Sequence, residues 1–121
     1  MRALPVEGTR RLPDLLGLVE LMMNKELVHV DASFEPLVPT FLANRQADLQ
    51  VLDAALASGD FETLWTLSHK IKGAGGSYGF DRVSEIAATI ERAAKAGDVP
   101  TVGSELERLR THLEQVEVVY E

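Results

Sequence analysis

The chain has 121 residues, 45% of them hydrophobic and 26% charged, enough for one domain that builds its own core without disulfides or metals. Its 12 basic and 19 acidic residues leave a net charge of −7, which repels phosphate backbones and argues against a nucleic-acid partner. No cysteine is present and no apolar run approaches the roughly 20 residues of a membrane span, so cysteine-based zinc sites are excluded and a cytoplasmic protein with no membrane partner is expected.

In chain order, residues 1–30 read as an N-terminal extension and residues 31–121 as the domain proper. The extension carries four charges of each sign, so the whole acidic excess lies after Val30. Leu12 to Met23 suits a short helix after Pro13, covering one end of the domain. Leu27-Val28-His29-Val30 alternates weakly like a strand, but a lone strand has nothing to pair with. A starting Met1 and this unassigned extension favour a free-standing protein.

Residues 40–99 contain no proline, and four segments repeat apolar residues at helical spacing. The first runs from about Ser33 to Leu56, with Val38, Phe41, Leu42, Leu49, Leu52 and Leu56 on one side; Pro39 should kink or start it. Ser58-Gly59-Asp60 makes a turn in which Asp60 caps the second helix, whose Leu64, Leu67, Ile71, Ala74 and Tyr78 step by threes and fours. Asp81 caps the third, carrying Val83, Ile86, Ala87, Ile90 and Ala93 and ending at Gly97. The fourth places Val102, Leu106, Leu109, Leu113, Val116 and Tyr120 on one stripe. Short connections between long helices imply antiparallel neighbours, hence an all-α, four-helix up-and-down bundle.

The stretch Leu67-Ser68-His69-Lys70-Ile71-Lys72-Gly73-Ala74-Gly75-Gly76-Ser77-Tyr78-Gly79-Phe80 carries the chemistry. With Leu64, Leu67 and Ile71 facing the core, His69 lies on the outward side of the second helix. Lys72, Gly73 and Gly76 follow at three, four and seven residues and share its face. Each glycine in a helix costs about 1 kcal/mol against alanine, so Gly73, Gly75 and Gly76 suggest that another macromolecule must approach closely. Periodicity leaves open whether the helix continues through them or ends at Gly73 in a glycine loop.

His69-Lys70-Ile71-Lys72-Gly73, with Gly79 beyond it, resembles the histidine-phosphotransfer (HPt) domain family of two-component phosphorelays, whose pattern is H-x-L/I-K-G, five residues and G. The likeness covers about residues 31–121 and includes Leu37-Val38-Pro39-Thr40-Phe41-Leu42 and Ile90-Glu91-Arg92-Ala93-Ala94. Ser68 and Ile71 are small departures, standing where alanine and leucine are frequent. The resemblance implies that His69 is the phosphoacceptor, that Lys72 assists the phosphoryl group, and that Gly73 leaves room for a docking receiver domain. It implies as partners a response-regulator receiver domain and a sensor or hybrid histidine kinase.

The residues make chemical sense apart from the family. A neutral imidazole is nucleophilic, and phosphoryl transfer depends mainly on positioning and charge neutralisation. Lys72, and Lys70 more obliquely, would offset phosphate oxygens. No Walker loop is present, since Lys72 precedes the glycines, and no carboxylate cluster suggests a magnesium site beside His69. The chain therefore reads as a phosphocarrier rather than an enzyme, with no cofactor of its own and Mg2+ supplied by the receiver. Trp65, one turn before His69, is either part of the docking surface or a core-edge residue. Gly75-Gly76-Ser77-Tyr78-Gly79 fits the G-x-S-x-G elbow of serine hydrolases, but the residues before it have helical period where the elbow needs a strand. His29, His69 and His112 have no metal-ligand spacing and read as scattered surface histidines. The alternative function is a bundle that only binds, either as a receiver-docking module that does not transfer phosphate or as an adaptor; the set His69, Lys72 and Gly73 favours the carrier.

Overall fold

The computed structural model describes residues 25–121; the helix expected over Leu12–Met23 lies outside them. Strand β1 (Glu26–Val30) leads through a 3-10 segment (Ala32–Leu37) into α1 (Val38–Ser58), α2 (Phe61–Ser77), α3 (Asp81–Lys95), α4 (Val99–Gln115) and strand β2 (Val116–Tyr120). Each helix packs on the next, and α1 also packs on α4, closing the ring of an up-and-down bundle. Leu52, Leu64, Ile71, Phe80, Val83, Ile90, Leu106 and Leu109 are fully buried between the four helices.

Local chemistry sets the helix ends. The Asp60 and Asp98 carboxylates accept from the backbone N–H groups of Thr63 and Thr101 and so cap α2 and α4. Asp81 does not cap α3: Phe80 stands at the cap and Asp81 lies in the first turn, where a negative charge still meets the positive end of the helix dipole. The buried Phe80 ring stacks on Phe41 at 4.6 Å and fixes where the chain turns. Pro39 starts α1 rather than kinking it, because its missing N–H falls in the first turn. The residues from Ser33 to Leu37, expected as helix, form the 3-10 segment instead, with Pro36 inside it. Gly97, at φ +69°, ends α3 as expected.

The two ends of the described chain depart from the sequence reading. Leu27–Val30 is a strand with a partner: β1 pairs in parallel with β2, Glu26 opposite Val116 and Val30 opposite Tyr120. The fourth helix therefore stops at Gln115, and Val116 to Tyr120 is not its last turn. A step of four belongs both to a helical stripe and to one face of a strand, so Val116 and Tyr120 fit either. The β-branched Val116, Val118 and Val119 favour the strand, and pairing on β1 buries Val28 and Val30. The intervening bundle serves as the long crossover that parallel strands require.

Candidate functional site

Helix α2 runs unbroken through Gly73, Gly75 and Gly76 to Ser77, so His69 lies mid-helix and no glycine loop follows it. Its imidazole side chain is 64% exposed, and Nδ1 stands 3.1 Å from Oε2 of Glu91 on α3. The other oxygen of Glu91 accepts from Lys72 Nζ at 2.9 Å, and Lys95 Nζ is 3.3 Å from Oε2. Helices α2 and α3 thus share one carboxylate, which is only 9% exposed while both lysine side chains remain partly in solvent.

This geometry decides protonation. The hydrogen bond from Lys72, with smaller contributions from Lys95 and His69, outweighs burial and holds the Glu91 carboxyl down at about 2. An ionised carboxylate has only acceptors to offer. Nδ1 of His69 must then be the donor, which leaves the lone pair on Nε2, the far nitrogen of an exposed ring. The carboxylate fixes the tautomer, as the aspartate of a serine-protease triad does.

The remaining expected site residues divide between surface and core. Gly73 is exposed, and a Cβ added there meets nothing within 4 Å, while one at Gly76 meets only Ser84 Oγ at 3.6 Å. Gly75 belongs to the interior instead: a Cβ would meet Phe80 O at 3.0 Å and Ser84 N at 3.1 Å, so its absence lets α3 approach α2. Ser84 completes that contact by donating to the Lys72 carbonyl. Lys70 is exposed but turned away from Glu91, lining a shallow groove with Val51, Thr66 and Leu67. Trp65 is half-buried against the core, and Lys95 Nζ lies 4.9 Å over its ring.

Neither of the other described histidines joins this group. His29 pairs with Glu121 at 2.5 Å, and His112, only 3% exposed, pairs with Glu26 at 2.5 Å. His112 is therefore a buried cross-link rather than the scattered surface histidine expected from sequence. Among the described residues, no three His, Asp or Glu side chains come together as a metal site.

Sequence reasoning did not name Glu91 as a site residue. Its signal was present: Glu91 falls four residues after Ala87 and three before Ala94, on the buried stripe of α3, where a carboxylate demands partners.

The family model of the Hpt domain matches residues 36–118, spanning all four helices. The chain belongs to the Hpt family. Hpt domains are phosphocarriers of phosphorelays, transferring phosphoryl groups through histidine and interacting with receiver domains and histidine kinases. No matching relative is found among curated proteins, and none among solved structures. Among the described residues of this Hpt domain, no helix is long and apolar enough to cross a membrane.

Proposed function

We propose that this Hpt domain carries phosphate on His69 between receiver domains, taking it from an aspartyl phosphate and giving it to the aspartate of a second receiver. The observation that supports this best is the exposed His69 imidazole hydrogen-bonded through Nδ1 to the buried, ionised Glu91. In the forward step the Nε2 lone pair attacks phosphorus. The Nε2–P bond forms as the P–O bond to the aspartyl carboxylate breaks, and that electron pair leaves with the carboxylate. The Nδ1 proton stays in place, shared with Glu91, which balances the positive charge the ring acquires. Transfer onward is the same exchange in reverse on a new aspartate.

Lys72 lies one helical turn from His69 on the same face and offsets charge on the phosphoryl oxygens. Gly73, with Gly76 beyond it, leaves the surface low enough for a receiver to bring its aspartyl phosphate in line, and Lys70 and Trp65 flank the docking area. The receiver brings Mg2+, and a sensor or hybrid histidine kinase feeds the relay, which places the work in the cytoplasm.

The test incubates the protein with a receiver domain carrying labelled aspartyl phosphate and then asks whether the acquired label is acid-labile, as phosphohistidine is. Label should appear on wild type and vanish in His69→Gln. Receiver binding with no label on wild type would identify a docking bundle that does not transfer.

A further inference from the structure

Glu91 is held by more cationic charge than one carboxylate needs, and the two lysines are not equivalent. Lys72 reaches across from α2 to Oε1. Lys95 comes from Glu91's own helix, four residues on, reaches Oε2 at 3.3 Å, and rests its ammonium over the Trp65 ring. Such a cation–ring contact favours one position of a flexible lysine. With Lys72 at 40% and Lys95 at 54% side-chain exposure against 9% for Glu91, either lysine can be rehydrated after leaving the pair. The carboxylate cannot, and stranding a buried charge without a partner is strongly unfavourable.

A phosphoryl group on Nε2 of His69 adds negative charge one turn from Lys72 and creates a second claim on that ammonium. Lys72 answers it only if Glu91 keeps another cation. We propose that Lys95 is a positioning residue for the transfer reaction: it is the standing counter-ion of Glu91, braced on Trp65, that frees Lys72 to move from the carboxylate to the phosphoryl group. This inference rests on the assignment of His69 as phosphoacceptor. It assigns Trp65 the role of bracing Lys95 from the core edge.

Lys95 acts through Lys72, so its effect must depend on Lys72 being present. The measurement is the initial rate at which the full chain acquires acid-labile label from labelled phosphoramidate, whose P–N bond breaks, its electron pair leaving with ammonia, as the Nε2–P bond forms. The proteins compared are wild type, Lys95→Met, Lys95→Arg, Lys72→Met, the Lys72→Met/Lys95→Met double variant and His69→Gln. Lys95→Met should slow labelling by about fivefold, a coupling of ordinary size for groups in one network. Lys95→Arg should recover the rate to within about twofold, since the charge and the stacking on Trp65 are kept. The double variant should be no slower than Lys72→Met alone. A Lys95→Met rate equal to wild type, or the same fivefold loss in both Lys72 backgrounds, would overturn the proposal while His69 remained the acceptor. Equal labelling of wild type and His69→Gln would instead remove the assignment on which it rests.

Discussion

Of the three histidine–glutamate pairs among the described residues, two stand in different parts of the molecule with their burial inverted. In the α2–α3 pair the imidazole of His69 is 64% exposed and Glu91 is 9% exposed. In the pair at the β1–α4 junction His112 is 3% exposed and Glu26 is 32% exposed. A buried carboxylate with an exposed ring fixes the tautomer and turns Nε2 to solvent. A buried ring with a more exposed carboxylate presents nothing: His112 ties the strand to the end of α4 at 2.5 Å, and its Nε2 has no partner among the described residues. On the proposed reading, a histidine–carboxylate contact serves chemistry here only where the ring, and not the acid, faces solvent.

The sharpest way to break that contrast is to exchange both rings for amides. His69→Gln should abolish labelling by a phosphorylated receiver and leave stability within about 0.5 kcal/mol, as exposed positions generally do. His112→Gln should do the reverse, keeping transfer while costing about 1–3 kcal/mol through the broken buried pair. Labelling assays and urea midpoints on the two variants read both quantities. A His112→Gln protein as stable as wild type would deny that pair its structural role.

The glycines offer the next largest separation. Gly73→Gln fills open space above the surface, so transfer from a receiver should fall by roughly a hundredfold, since in-line attack tolerates about 1 Å of displacement. Its thermal midpoint should be equal or higher, because glycine is the poorer helix residue. Gly75→Ala presses a methyl group on the backbone of Phe80 and Ser84 and should lower stability by about 1–3 kcal/mol, as overpacking does. Fast transfer by Gly73→Gln would remove the clearance argument.

A smaller effect follows from the acid of the α2–α3 pair. The Glu91 carboxyl sits at about 2 in the folded protein against an ordinary 4.5. A lowered folded value means its contribution is fully present above about 4.5 and is lost as the pH falls through about 2. The stability gap between wild type and Glu91→Gln should therefore narrow steadily across that window in acid titrations of the melting temperature. A gap independent of pH would mean that the carboxylate's charge contributes nothing. The smallest change expected is at Ser68, whose side chain is fully buried with Oγ unpartnered among the described residues. Ser68→Ala should raise stability by about 1 kcal/mol; a lower denaturation midpoint would show that the hydroxyl is satisfied.

The four helices were legible because each buries a stripe at a spacing only a helix satisfies, with Asp60 at one start and Gly97 at one end. The strands were not. Val116 and Tyr120 fit both periods, and pairing them with Leu27–Val30 depends on two segments about ninety residues apart meeting, which no local pattern encodes. The site was half legible. His69, Lys72 and Gly73 follow one another along one helix face, so spacing alone groups them. Glu91 and Lys95 come from the next helix, and their approach depends on Gly75 and Ser84 at the α2–α3 contact. Gly75 looked like its neighbours in sequence and proved to face the interior.

On the proposed reading, Glu91 holds the Nδ1 proton so that Nε2 of His69 is the reacting atom. Long-range proton–nitrogen NMR of the labelled imidazoles, before and after phosphorylation, tests it directly. Nδ1 of His69 should be protonated in the free protein, phosphorus should be attached at Nε2 afterwards with Nδ1 still protonated, and His29 and His112 should carry no phosphoryl group. Phosphorus at Nδ1 of His69, or on either of the other two rings, would contradict it.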